Sequence, residues 1–438
     1  MASSCMAALN VRSWARAFSL RTPASLAVFS SALVVVSMPV SPFVLSLGMW
    51  GLVFSALWHR LQVVQSENGS LRGGVLLWRA LVRSFVVLAQ RWPLALLSLL
   101  LLIPLLSGGW SSDQDFWLER VRVRVPFVVL PWAFANLPPL SQRQYEGVLY
   151  LLVWTMTLLG IGVCVNYALH QEQILDSMEH GKPIPVPRHH IRFSLMVATA
   201  ILAAGWLWWR RFVWRFPWER FLLAGAFLFL VGFIHFLSVR SGLAVLYMGA
   251  LFALAHWTWS SRRWAVALAS VGAAILLIWL AFQIFPSMQE KWHYTVHDWE
   301  QYQHDDGANY SDAERWVSLQ AGWLLWKENP VWGVGMGDLP AQMKRVVAAH
   351  FPEHLQTFKL PHNQFLYLMA ATGAVGLLGS LLAWSGLLFS CRRRCRLFWV
   401  FQVMLFASCM VEYTIETSAG VAWSLFYSLW FWAEAQQV

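Results

Sequence analysis

The chain has 438 residues, 58% of them hydrophobic and only 12% charged, with a net charge of +10. A soluble globular chain is about 45–50% apolar and about 25% charged, so this composition excludes disorder, a nucleic-acid-binding domain and an ordinary cytosolic enzyme. It calls instead for an all-α polytopic membrane protein, whose basic excess belongs to loops on the inner surface.

An α-helix rises 1.5 Å per residue, so a span needs about 20 mostly apolar residues. Runs of that kind lie near 24–39, 42–58, 93–108, 121–137, 145–169, 193–209, 221–238, 241–259, 265–285, 365–390, 397–411 and 419–435, about twelve transmembrane helices in all. Pro126 and Pro131 interrupt the fourth. Residues 75–91 are also apolar, but Arg79, Arg83 and Arg91 punctuate them. They read as a basic amphipathic segment on the inner surface. The first apolar run lacks a small-residue cleavage site, so no cleavable signal peptide is expected. The five cysteines are too few and too scattered for a disulfide framework.

Placing the N-terminus inside puts more than half of the 32 basic residues into inner loops, among them Arg60, Arg143, the Arg210–Arg220 cluster, Arg262 and Arg392–Arg394. Both termini are then cytoplasmic. Three parts follow: an N-terminal membrane bundle of nine spans (1–285), a large extracytoplasmic loop with short helices (286–364) and a C-terminal membrane part of three spans (365–438). Unstructured loops beyond about 12–15 residues are uncommon and usually functional. Within this one, Trp316, Leu319, Trp323 and Trp326 recur at helical spacing and predict a helix from Asp312 to Lys327. A second short helix is expected over 341–350. No inner loop is long enough for a soluble domain, and no G-x-x-x-x-G-K-[ST] is present, so no nucleotide is expected as a partner.

The chemistry-bearing residues gather at the outer ends of spans. His362 and Asn363 lie where the large loop re-enters the membrane. A histidine there suits a general base or acid, because imidazole titrates near pH 7; an interfacial packing role is the alternative. Asn363 is placed either to orient a ligand or to cap the next helix. Arg315 sits on the predicted loop helix, and its planar fork matches phosphate oxygens, or else pairs with Glu314 or Asp312. Arg188, His190 and Arg192, with Arg240, bring positive charge to outer boundaries where topology does not ask for it. An anionic lipid diphosphate would supply the reason, and snorkelling the alternative.

Gly333, Gly335 and Gly337 make a tight turn, whose amides are candidates to face a phosphate or sugar; Asp338 is placed to cap the helix that follows. Glu412 and Glu416, four apart in the last outer turn, suit either an acceptor sugar or pairing with the outer arginines. His293, His297, His304, His350 and His354 lie near carboxylates such as Asp298, Asp305 and Asp306. Their order matches no metal-binding motif, so no metal is expected.

With these pieces in order, the chain resembles the O-antigen ligase and polymerase superfamily of bacterial envelope enzymes. The likeness is carried by Ser238-Val-Arg240-Ser-Gly242, Arg315-Trp316, Asn329-Pro330-Val-Trp-Gly333-Val-Gly335, His362-Asn363-Gln-Phe-Leu366 and Gly373-Ala-Val-Gly376. Members usually read Ser-Arg-Gly where this chain has Val-Arg-Ser-Gly. Gly181–Pro185, His190–Leu195 and Glu412–Gly420 extend the likeness over about 110–435. The resemblance implies a bacterial inner-membrane glycosyltransferase with its active site facing the periplasm and no cofactor. Its donor would be a glycan on undecaprenyl diphosphate, not a nucleotide sugar, and its acceptor the lipid A core. The related polymerase reaction, with a glycan acceptor, and transfer to a protein hydroxyl are alternatives. A transporter would show paired inverted repeats, and none is visible. The resemblance carries catalytic roles onto His362, Arg315 and Arg192. Arg240, Arg188, His190, Asn363, Gly333, Gly335, Asp338, Glu412 and Glu416 are the expected substrate contacts.

Overall fold

The computed structural model describes residues 21–69, 71–179, 182–303, 311–391 and 396–436. Among them the only regular structure is helical. The helices are α1 (Pro23–Ser37), α2 (Pro42–Glu67), α3 (Gly73–Gln90), α4 (Trp92–Leu96), α5 (Leu99–Leu106), α6 (Gln114–Arg124) and α7 (Pro126–Asn136). They continue with α8 (Gln142–Leu169), α9 (Gln171–Glu179), α10 (His190–Trp209), α11 (Glu219–Leu237), α12 (Arg240–Ser261) and α13 (Trp264–Ile284). The last are α14 (Pro286–Gln303), α15 (Ser311–Glu328), α16 (Leu339–His350), α17 (Gln364–Ser390), α18 (Arg396–Val411) and α19 (Ser418–Ala435).

Nine helical segments among the described residues are long and apolar enough to cross a membrane. Eight coincide with expected spans: α2, the α4–α5 stretch, α8, α10, α11, α12, α13 and α17. The ninth is α3, the segment read from its arginines as lying on the surface. Its middle residue Ser84 accepts from Trp132 Nε1 at 3.0 Å, and its carbonyl accepts from Asn136 at the end of α7. Asn136 in turn accepts from Arg60 of α2. By length and composition α3 ranks with the spans, and these contacts tie its middle to α7.

The four remaining expected spans, 24–39, 121–137, 397–411 and 419–435 (the last being α19), are helical without meeting that length and apolarity. Two are the shorter apolar helices α1 and α18. The 121–137 run is two helices, because Pro126 starts α7 afresh after Val125. A proline at the first helical position has no amide to lose there. The predicted loop helices are present as α15 and α16, and α14 is an additional one.

The centre of the bundle is α10, flanked by α8, α11 and α12. Thirteen of its residues from Ile191 to Ala204 are buried. Burial on all sides explains its unbroken apolar run. Against it lies α19, tied by Trp423 Nε1 donating to Thr199 Oγ1 at 2.8 Å. A second, smaller core joins α15, α16 and the start of α17 through Val317, Leu325, Met343 and Tyr367. These two cores bring the start of α10, the start of α17, α15 and the turn between α18 and α19 to one end of the bundle.

Candidate active site

His362 lies just before Asn363, the N-cap of α17. Asn363 caps that helix: its Oδ1 accepts from the amides of Phe365 and Leu366, both at 3.0 Å, and its Nδ2 donates to Met410 O at 2.9 Å. Both ends of the amide are thereby engaged, so Asn363 fixes the backbone next to His362 rather than offering itself to a ligand. The His362 amide donates to Ser318 Oγ of α15 at 3.3 Å. The ring's Nδ1 lies 3.2 Å from Glu412 Oε2, while Nε2 is buried with no hydrogen-bond partner. Tyr413 packs beside the ring at 5.2 Å between centroids.

Glu412 joins the chemistry of three elements. It is 2% exposed. Its Oε2 faces His362, and its Oε1 accepts from Arg315 Nη2 of α15 at 3.0 Å. Burial by itself would push this carboxyl up; the hydrogen bond and charge of His362, together with Arg315 and Arg192, outweigh it and hold Glu412 below the usual carboxylate range. Arg192, in the first turn of α10, is also buried. Its Nε donates to Thr417 Oγ1 at 3.2 Å and its Nη2 to Tyr413 O at 3.3 Å, leaving Nη1 buried without a partner. Burial and the nearby Arg192 push His189 down, against the opposing pull of Glu412.

A cavity of about 260 Å³ opens on this group. Arg188, His189, Arg192, His362, Glu412, Tyr413 and Thr417 supply its polar wall, and Met38 and Met196 part of its apolar wall. Buried polar atoms are ordinarily satisfied. His362 and Arg192 both line this cavity, and each carries a buried nitrogen without a partner, which marks the place as a candidate ligand site. The three residues expected to be catalytic, Arg192, Arg315 and His362, are thus brought together from three separate elements.

The remaining expected contacts fare differently. Arg240 makes a two-pronged pair with Asp312, through Nη1 and Nη2, and also donates to Thr295. It lines a neighbouring cavity of about 120 Å³ with Lys182, His190 and Arg315. Glu416 accepts both Arg124 Nη2 bonds, the longer at 2.6 Å, and one from Gln364 Nε2 at 2.7 Å. It is 1% exposed. Glu416 is therefore a buried brace and is not available to an acceptor sugar. Asp338 does not cap α16; its carboxylate accepts from the amides of Ser112 and Asp113.

Gly333 and Gly335 also correct the expectation placed on them. Inside α17, Gly373 adopts φ 65°, ψ −163°, which breaks the helix. The break frees two carbonyls and two amides. The glycine turn satisfies all four: Val334 N–H donates to Ala370 O, Gly335 N–H to Ala371 O, and Pro330 O and Val331 O accept from Ala374 and Val375. Gly333 N–H donates to Asn329 O, and the amides of Met336 and Gly337 donate to Ser107 Oγ and Ser111 Oγ. No amide of the turn from 333 to 337 is left for a phosphate. A Cβ on Gly373 would lie 2.1 Å from Val331 O. Gly373→Ala should therefore cost at least about 2–3 kcal/mol, since clash adds to a backbone region nearly restricted to glycine. The thermal midpoint of the detergent-solubilised protein measures it.

His293, His297, His350 and His354 lie among the described residues, where no three His, Cys, Asp or Glu side chains gather in a group able to hold a metal. His304, Asp305 and Asp306 fall outside the described residues, as do Arg392–Arg394. Sequence reading passed over His189, Tyr413, Thr417 and Lys182. Only Lys182 and His189 carried a signal, as further polar residues of the cationic segment before α10.

No curated protein matches the chain. Residues 225–381, a little over a third of its length and spanning Arg240, Arg315, the glycine turn and His362, match the family model described as O-antigen ligase.

Proposed function

We propose that this protein is an O-antigen ligase: a membrane glycosyltransferase that moves a glycan from undecaprenyl diphosphate to the lipid A core. The observation that carries the reading is that His362 and Arg192 line one cavity and each keeps a buried nitrogen, Nε2 and Nη1, without a partner in the fold. The match of residues 225–381 supports the reaction class.

In this reading the acceptor hydroxyl approaches His362 Nε2, which takes its proton as the oxygen attacks the anomeric carbon. The bond from that carbon to the diphosphate oxygen breaks, and the electron pair leaves with the diphosphate. Direct displacement inverts the anomeric carbon. Arg192 and Arg315 stabilise the leaving group, with Arg188 at the cavity wall adding positive charge. The energy comes from the sugar–diphosphate bond, so no nucleotide is consumed. The site end of the bundle faces the periplasm, and both termini face the cytoplasm. The apolar carrier tail lies along the lipid-facing helices.

Reconstitution in liposomes with a polyprenyl-diphosphate glycan and a lipid A core tests the proposal. Glycan appearing on the core supports it. Glycan chains lengthening on the carrier would make the protein a polymerase, and a donor left intact with every acceptor would end the reading. Arg315→Ala should raise the KM for donor roughly 10–100-fold, the worth of one charge-assisted contact, with a much smaller change for acceptor. Kinetics varying each substrate separately decide this.

A further inference from the structure

Arg315 stands between two cavities. It lines the smaller one with Lys182 and Arg240, and no Asp or Glu is among that cavity's lining residues. Arg240 there is already paired with Asp312, whereas Arg315 Nη2 donates to Glu412, which lines the larger cavity, and Arg315 Nε is buried without a partner. The other Glu412 oxygen faces His362 Nδ1. One carboxylate is thus shared by the cation assigned to the leaving group and the ring assigned to the proton.

A shared acceptor divides its strength. While Arg315 holds Oε1, the negative charge on Glu412 is partly neutralised and pulls less on the Nδ1 proton of His362. A diphosphate carries more negative charge than a carboxylate and suits the guanidinium fork better. The charged and titratable groups near the ring are Glu412 and Tyr413 from the turn after α18, Arg188 and His189 just before α10 and Arg192 in its first turn, all lining the same cavity, with Arg315 of α15 bonded to Glu412. Glu314 of α15 is already paired with Lys359. Glu412 is therefore the carboxylate bonded to the ring.

We propose that Glu412 is a positioning residue for His362, and that Arg315 exchanges partners, from Glu412 in the free protein to the donor's diphosphate in the complex. The base is then fully engaged only when donor is bound. This rests on the glycosyltransferase reading above and adds to it the regulation of the same site.

Reciprocity of coupled equilibria gives an opposed pair of effects. If Glu412 holds Arg315 back, removing its charge frees Arg315 for the diphosphate. Glu412→Gln should bind a polyprenyl diphosphate roughly tenfold more tightly than wild type, yet transfer glycan roughly 100-fold more slowly. In an Arg315→Ala background the gain in binding should vanish. A merely structural Glu412 would weaken both. Equilibrium binding of polyprenyl diphosphate to the full-length protein in detergent, with single-turnover transfer, provides both readouts. Unchanged or weaker binding by Glu412→Gln, or a gain that persists without Arg315, overturns the proposal. A cryo-EM structure of wild type with polyprenyl diphosphate needs no variant: Arg315 on the phosphates supports the exchange, and Arg315 still on Glu412 refutes it. Wild type that binds no polyprenyl diphosphate at all would sink the glycosyltransferase reading and this inference with it.

Discussion

His362→Ala should lower glycan transfer by about 10³-fold, within the range a positioned general base contributes, while the protein stays folded and its hold on the diphosphate changes little. The separation follows from the geometry. The ring's Nδ1 faces Glu412 and its Nε2 has no protein partner, so the group available for chemistry is a nitrogen the fold does not use. The backbone around it is secured independently, by the Asn363 cap and by the bond from the His362 amide to Ser318. Truncating the ring disturbs neither. The arginines assigned to the diphosphate reach the site from α10 and α15, and they remain. Single-turnover transfer measured beside polyprenyl-diphosphate binding separates the two functions. Near-normal transfer by His362→Ala would remove the general-base assignment, and loss of diphosphate binding would make His362 a binding residue instead.

Much of this arrangement was legible in the sequence because apolar runs and charge punctuation are local signals. They placed most helices within a few residues and singled out the long polar segment before α17. Arg192 and His362 stood out for a related reason, as charged or titratable residues at the edge of an apolar run, where burial is costly without a purpose, and Arg315 stood out as a phosphate-matching fork on the helix of the large loop. What stayed hidden was partnership. Glu412 and Glu416 look alike in sequence, four residues apart in one turn. Only the packing of α6 and α17 against that turn gives Arg124 and Gln364 to the second, and only α15 gives Arg315 to the first. The glycine turn was visible but its purpose was not, because the groups it satisfies belong to a helix break about 40 residues on, at Gly373. Polypeptide within apolar surroundings must satisfy its own amides and carbonyls, and that requirement, not ligand binding, accounts for the spacing of Gly333 and Gly335.

The division between the two glutamates leads to a stability experiment. Glu416→Gln should cost about 3–5 kcal/mol, the usual penalty for removing one partner of a buried ion pair. Arg124 is fully buried, and its Nε already lacks a partner, so without the Glu416 charge the guanidinium is left uncompensated where solvent does not reach. The neighbouring Gln364 keeps an oxygen to bond in the glutamine variant, so the effect isolates the charge. Replacing the cation as well, in Arg124→Met/Glu416→Gln, removes the uncompensated charge and should recover more than half of the loss, since buried ion pairs add little over apolar groups of similar size. Thermal midpoints in detergent for the wild type, the single variant and the double variant measure both steps. The turn that carries Glu416 also carries Glu412 and Tyr413, so the single variant should slow transfer by loosening the site, and the double variant should restore it. A double variant no more stable than the single one would mean that the pair holds the turn by its own attraction. Glu416 would then be a working clamp on the catalytic end rather than a charge whose main demand is to be matched.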